Sequence, residues 1–225
     1  FIAETIESVL AQTYPHWEMI IVDDCSTDDS VSIVEEYVKK DSRIRLFKLK
    51  KNSGPALARN KAIELSQGRF IAFLDSDDLW LPQKLDRQVK FMLNFDLAIS
   101  YSAFKKIDEN GNISNKIIHV PKEASYKTLL KTNYIAFSTS MIDTSKIGKV
   151  FLPNIRMRQD YALWLKLLKN IDHEDYAFRL QPFKDKEVKS TRFALGINEP
   201  LVLYRISTTS FSRNKLKAAL YHLIV

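Results

Sequence analysis

The stretch Phe70-Ile71-Ala72-Phe73-Leu74 runs straight into Asp75-Ser76-Asp77-Asp78, and no other feature of this chain constrains its fold so strongly. Five consecutive apolar residues, aromatic and β-branched among them, read as a strand buried on both faces, and such strands belong to α/β sheets covered by helices. Open α/β sheets bind ligands beyond the carboxyl ends of their strands, which is where these carboxylates gather. Crowded like charges repel and resist desolvation, so the cluster points to a hard divalent cation with oxygen ligands and, through it, to a phosphate ester. A solvated turn with a helix N-cap is the competing reading of these residues alone.

Composition narrows the partners. The 225 residues are 45% hydrophobic, enough for one domain with a substantial core, and five glycines and seven prolines exclude collagen-like or low-complexity chains. Cys25 stands alone, so there is neither an intramolecular disulfide nor a cysteine-based zinc site, as in a reducing compartment; the cytoplasm is the expected location. No apolar run reaches the roughly 20 residues that span a bilayer. The net charge of +7 calls for an anionic partner. Nucleic acid is not expected, because charge alone supports it. His16, His119, His173 and His222 lie far apart and read as surface or structural residues.

Helix and strand alternate through the first half. An amphipathic helix starts at residue 1 or 2 on Ile2, Ile6, Val9 and Leu10; a strand over 17–22 ends in Asp23-Asp24; a helix carries Val31, Val34, Tyr37 and Val38; a strand covers 44–49. Pro55 opens the next helix, whose inward side is Ala58, Ala62 and Leu65, and the strand 70–74 follows. This rhythm predicts βαβ units and a largely parallel sheet. Beyond a helix from Pro82 to about Asn94 and a strand over 97–101 the pattern loosens. A hairpin turn falls at 108–111, a short helix at 126–131, a strand at 136–142, an amphipathic helix at 159–170, a strand at 201–206 and a helix over 213–225.

Two strand ends therefore carry acid pairs, Asp23-Asp24 and Asp75 with Asp77, and adjacent parallel strands bring both to one rim. Carboxylates accept base N–H and ribose hydroxyl groups, and a metal reconciles them with phosphate. Mg²⁺ or Mn²⁺ suits this donor set better than zinc. In Asn52-Ser53-Gly54-Pro55-Ala56-Leu57-Ala58-Arg59-Asn60, Gly54 permits close backbone approach and Arg59 can face a pyrophosphate, although turn and cap chemistry explains the segment equally well. Asp160, in the first turn of an apolar helix, reads either as an ordinary helix-start acid or as a general base without a partner acid.

Taken in order, these pieces resemble the family 2 glycosyltransferases. Val22-Asp23-Asp24-Cys25-Ser26-Thr27-Asp28 is similar to the family's V-D-D-G-S-T-D stretch, Asn52 to Asn60 to its N-x-G-x-x-x-A-R-N stretch, Phe73 to Asp78 to its D-x-D motif, and Gln159-Asp160 to its E/Q-D element. The resemblance implies a GT-A, Rossmann-like α/β fold with a mostly parallel sheet flanked by helices. It also implies an inverting enzyme that uses a nucleotide-diphosphosugar. On that basis Asp24 contacts the nucleobase, Asp75 the ribose side, Asp77 the metal (Mn²⁺ or Mg²⁺), and Asp160 is the catalytic base. Asp23, Asn52, Gly54, Arg59 and Ser76 complete the nucleotide-sugar set, and Asp78 supports it. Residues 1–105 become the nucleotide-sugar half and 106–225 the acceptor side with a helical tail.

The carrier implied is UDP, and the acceptor a hydroxyl of a glycan or lipid-linked acceptor in lipopolysaccharide, capsule or exopolysaccharide synthesis. Residues 204–213 resemble the tail of non-processive bacterial members, so one sugar is transferred per event. Arg205 or Arg213 either closes over the diphosphate or is simply solvated. Lys184, Lys186, Lys189, Arg213, Lys215 and Lys217 offer peripheral contact with an anionic membrane at its inner face. A non-catalytic nucleotide-sugar-binding module and a sugar-phosphate nucleotidyltransferase are the alternatives. Two departures stand out. Cys25 replaces the usual glycine, and the family's first strand lies ahead of Phe1, which predicts a gap in the sheet and a chain that is destabilised or inactive alone.

Overall fold

The computed structural model describes residues 1–169 and 194–206, and the backbone of 220–224. The first helix, α1 (Ile2–Leu10), is followed by β1 (Met19–Asp23), α2 (Ser30–Lys40), β2 (Ile44–Lys48), α3 (Pro55–Leu65), β3 (Phe70–Asp75), the short β4 (Leu79–Trp80) and α4 (Lys84–Asn94). Next come β5 (Ile99–Ile107), β6 (Ile113–Ile118), α5 (Tyr126–Lys131), a 3-10 turn (Phe137–Thr139), β7 (Met141–Asp143), α6 (Thr144–Ile147), α7 (Gln159–Lys169), β8 (Ala194–Arg205) and β9 (Leu220–Ile224). The strands form one sheet in the order β2-β1-β9-β3-β7-β5-β8-β4, with β6 paired to β5.

The continuous apolar run of β3 follows from its place in two cores. Side chains alternate across a strand. Ile71 and Phe73 therefore join Ile20 and Val22 of β1 on the face covered by α3 and α7, where Ala58, Ala62, Leu163 and Trp164 pack. Phe70, Ala72 and Leu74 join Met19 and Ile21 on the opposite face, under Ile6 and Val9 of α1 and Leu85, Val89 and Met92 of α4. No helix among the described residues is long and apolar enough to cross a membrane.

The α/β sheet with flanking helices is as expected, but its pairing is mixed. β1–β2 and β5–β8 are parallel, while β7 is antiparallel to both β3 and β5. The expected gap beside β1 is filled: β9 lies antiparallel between β1 and β3, opposite Asp23 at Leu220 and opposite Asp75 at Tyr221. Residues 220–224 are thus strand rather than helix, because pairing with two flanking strands outweighs the apolar spacing that read as helical. The remainder of that expected helix, 213–219, and the basic residues Lys184, Lys186, Lys189, Arg213, Lys215 and Lys217 lie outside the described residues.

The strand expected over 136–142 is also different. Phe137–Thr139 forms a 3-10 turn before β7, which lets Phe137 stack on Phe73 with ring centroids 4.4 Å apart. The late strand begins earlier than expected, at Ala194, and its far end pairs with β4, a two-residue strand the apolar pattern did not mark.

Candidate active site

Because β1 and β3 both run antiparallel to β9, their carboxyl ends emerge on the same edge. At the β1 end, Asp23 is 4% exposed and accepts the Ser26 N–H at 3.0 Å. Asp24, 1% exposed, accepts the Ser53 N–H at 2.6 Å on one oxygen and the Gly54 N–H at 2.8 Å on the other. Asn52 closes the same junction by donating to the Asp24 carbonyl at 2.9 Å. Gly54 serves here through its φ of +88°, since a Cβ would meet no atom within 4 Å. Cys25, the residue in place of glycine, has a φ of +63°.

From that junction α3 carries Arg59 toward the second acid group, about 7–8 Å further along the helix. The Arg59 guanidinium lies 4.4 Å from the centre of the Phe137 ring. It donates to Asp75 Oδ1 at 2.6 Å and to Gln159 Oε1 at 3.0 Å. Asn60, the next residue, donates to the Leu152 carbonyl at 2.9 Å and accepts the Leu152 N–H at 2.8 Å. The Arg-Asn pair therefore ties α3 both to the end of β3 and to the loop that introduces α7.

The β3 end is crowded where the β1 end is satisfied. Burial, reinforced by the charge of Asp75, pushes Asp77 up to about 6. Burial pushes Asp78 well above the ordinary carboxylate range, with Asp77 adding to the effect. Asp78 is 1% exposed, accepts the Ser138 hydroxyl on one oxygen and accepts the Arg205 N–H at 2.8 Å on the other. It anchors the turn from within. Ser76 contributes its carbonyl, which the Thr5 hydroxyl reaches at 3.0 Å.

Asp160 faces the same space. A cavity of about 440 Å³ is walled by Asp75 and Asp160 with Phe104, Tyr134, Phe137 and Tyr204, and His119 stands at its margin. Burial raises the pKa of Asp160, and Asn133 approaches its carboxylate at 3.5 Å. An aromatic wall around two carboxylates suits a sugar ring held beside a proton acceptor. A second cavity, about 550 Å³, opens at the far edge of the sheet between α2 and β2. Glu35 and Lys48 on its wall pair with each other at 2.6 Å, and no carboxylates converge there.

Among the described residues no group of three or more His, Cys, Asp or Glu side chains is arranged to hold a metal unaided. The residues fit instead a cation bound by one or two carboxylates and completed by phosphate oxygens, the usual arrangement for Mg²⁺ at phosphate sites.

Several contributors carried no clear sequence signal. Ser138 accepts the Asp75 N–H at 3.0 Å, yet lies in a segment that read as plain strand. Arg205, open between a diphosphate role and a solvated one, does neither: it is 3% exposed and bonded to the Asp77 carbonyl. Thr5, Ser8 and Gln12 had a findable signal, a polar stripe at helical spacing beside the apolar stripe of α1. They bond respectively to the carbonyls of Ser76 and Asp78, to Trp80 N–H, and to Leu81 carbonyl and Leu85 N–H.

Comparison with known proteins identifies the family of this chain. The chain is 44% identical over 219 residues to a "Putative teichuronic acid biosynthesis glycosyltransferase TuaG" of Bacillus subtilis, covering 97% of this chain and 79% of that protein. It is 41% identical over 213 residues to the Escherichia coli "UDP-Glc:alpha-D-GlcNAc-diphosphoundecaprenol beta-1,3-glucosyltransferase WfaP", covering 95% and 75%. The fold matches the crystal structure of S. aureus TarS 1-349 in complex with UDP at a TM-score of 0.68 and 22% identity, over 92% of this chain and 57% of that one. The chain thus spans about three quarters or more of these two relatives and little over half of the solved chain, and its fold is the GT-A fold. The description "Glycosyl transferase family 2" matches residues 1–152, from α1 through the acid-bearing ends of β1 and β3 to the loop before α7, and the chain belongs to that family.

Proposed function

We propose that this chain is an inverting glycosyltransferase that moves one sugar from a UDP-sugar to a hydroxyl of a lipid-linked glycan acceptor in bacterial surface-polysaccharide synthesis. The observation that carries the reading is the shared cavity of Asp75 and Asp160, spanned by the Arg59 bridge from Asp75 to Gln159, the neighbour of Asp160. One carboxylate at a donor-type strand end and one half-buried acid opposite it are what a single displacement requires. UDP as carrier and a diphosphate-lipid acceptor are supported by the activity in the name of the 41%-identical relative, and UDP by the ligand bound to TarS.

In this reading residues 1–105 hold the donor and 106–225 form the acceptor side. The Asp24 carboxylate keeps lone pairs beyond those bonded to Ser53 and Gly54 and accepts the nucleobase. Asp75 accepts from the ribose, with Asp23, Asn52, Gly54, Arg59 and Ser76 shaping the surrounding wall. Asp77, with Asp75 beside it, would hold Mn²⁺ or Mg²⁺, which supplies positive charge to the departing diphosphate. Asp160 takes the proton of the acceptor hydroxyl, whose oxygen attacks the anomeric carbon from the side opposite the leaving group and inverts its configuration. Burial raises the proton affinity of the Asp160 carboxylate, which makes it a stronger base than an ordinary carboxylate. The aromatic wall excludes water and orients the acceptor ring. The setting expected is the cytoplasmic face of the membrane.

The test is transfer of labelled glucose from UDP-glucose to a GlcNAc-diphosphate-lipid acceptor, with UDP binding followed by calorimetry. Asp160→Asn is expected to lower transfer by about 10²–10⁴-fold while leaving UDP binding unchanged. UDP binding with no transfer in the parent protein would favour a binding module, and pyrophosphate release from UTP and a sugar phosphate would favour a nucleotidyltransferase.

A further inference from the structure

Arg205 ends β8, far in sequence from the acids, yet its side chain is only 1% exposed. Its Nε donates to the Asp77 carbonyl at 2.7 Å, Nη1 to the Asp108 carbonyl at 3.0 Å and Nη2 to Glu4 Oε2 at 2.7 Å. Its plane lies 4.2 Å from the centre of the Phe1 ring. Three of its five N–H donors are engaged, one on each nitrogen, one face is covered by Phe1, and a side chain only 1% exposed does not reach a phosphate in solvent. Its backbone N–H holds Asp78 Oδ1, and Asp78 in turn accepts from Ser138, which accepts the Asp75 N–H. One residue therefore grips the acid turn at Asp77 and Asp78 and joins it to α1 and to the β5–β6 hairpin.

We propose that Arg205 is a positioning residue for the cation and diphosphate site: it sets the place of the Asp77 carboxylate through that residue's carbonyl, without touching the ligand. Asp75, Asp77 and Asp78 follow one another in a short turn, and their mutual repulsion pushes that turn open. The three anchors of the guanidinium oppose this motion, and a planar fork does so in a fixed geometry that an ammonium cannot reproduce. Groups that orient a metal ligand from behind typically contribute 10–100-fold to metal affinity. The inference rests on the reading of Asp77 as the metal-binding carboxylate.

The experiment is a Mn²⁺ titration at fixed UDP, followed by calorimetry and by the electron paramagnetic resonance signal of free Mn²⁺. The Arg205→Met variant is expected to raise the Mn²⁺ midpoint by about 10-fold or more, with UDP binding recovered at high Mn²⁺. Arg205→Lys falls between it and the parent. Glu4→Gln, which keeps the grip on Asp77 and Asp108, retains the parental midpoint, and Asp77→Ala shows no recovery at any Mn²⁺ concentration. A folded Arg205→Met or Arg205→Lys protein with the parental midpoint, beside an Asp77→Ala protein that has lost metal dependence, overturns the role of Arg205 alone. Parental metal dependence in Asp77→Ala overturns the reading of Asp77 and the inference with it. If only Arg205→Met fails to fold, Arg205→Lys decides; if both fail, Arg205 is a fold determinant and the inference is wrong.

Discussion

The ends of β1 and β3 look alike in sequence, each an apolar strand running into paired aspartates, but their surroundings are opposite. At the β1 end the backbone donors of Ser26, Ser53 and Gly54 converge on Asp23 and Asp24, so the buried carboxylates are satisfied. At the β3 end Asp77 and Asp78 are pushed up, chiefly by burial and then by the charges of their neighbours. The difference teaches that a carboxylate's role follows from the donors folded onto it. The β1 pair stabilises a loop junction; at the β3 end Asp78 is likewise held on both oxygens, and Asp77, raised by burial and by its neighbours, is the carboxylate left for the proposed ligand role.

Substitutions should therefore have opposite signs at the two ends. The largest effect is expected at Asp24, where Asp24→Ala removes the acceptors of two backbone N–H groups. Chemical denaturation should show a loss of about 2–3 kcal/mol at neutral pH. A loss below about 0.5 kcal/mol would erase the contrast, since it matches an ordinary surface change.

Next in size, Asp77→Asn should stabilise the metal-free protein. A carboxyl raised from 3.8 to about 6 keeps its proton in the folded state after the unfolded chain has lost it, so the native state binds more protons in that window. Stability accordingly falls as pH rises from about 4 to about 6. Asp77→Asn removes this fall. Denaturation in EDTA should give matching curves below about pH 4 and a gain of roughly 1–2 kcal/mol above pH 6, a figure reduced for solvent screening. Loss of stability in Asp77→Asn would break the comparison at its centre. The smallest effect belongs to Cys25, held at a φ of +63°. Cys25→Gly should relieve about 1 kcal/mol, read as a higher melting temperature, less whatever the Sγ contact to the Leu49 carbonyl contributes.

Local pattern made much of this legible. The run Phe70–Leu74, the proline that opens α3, the Asp108–Gly111 hairpin and the Gln159-Asp160 start of α7 all announce themselves within a few residues, because the cause of each lies within those residues. The candidate site was legible to the same degree: Asp75, Asp77, Arg59 and Asp160 carry recognisable motifs. What escaped depends on distant partners. Ser138 read as strand because nothing nearby reveals Asp75 and Asp78 as its partners, 63 and 60 residues away. Residues 220–224 read as helix because apolar spacing in so short a segment does not announce two flanking strands.

By itself, then, the sequence determined the element types of the first half, the acid-bearing strand ends and the order of the family motifs, all of which follow from side-chain periodicity and local backbone preference. Only the tertiary structure decided which acids are satisfied and which are crowded, that Arg59 bridges Asp75 to α7, and that Arg205 grips the acid turn from 128 residues away. The physical reason is that burial and hydrogen-bond partnership are properties of the packed chain: an aspartate's charge is written in the sequence, but the donors and the dielectric that set its behaviour arrive from elsewhere in the fold.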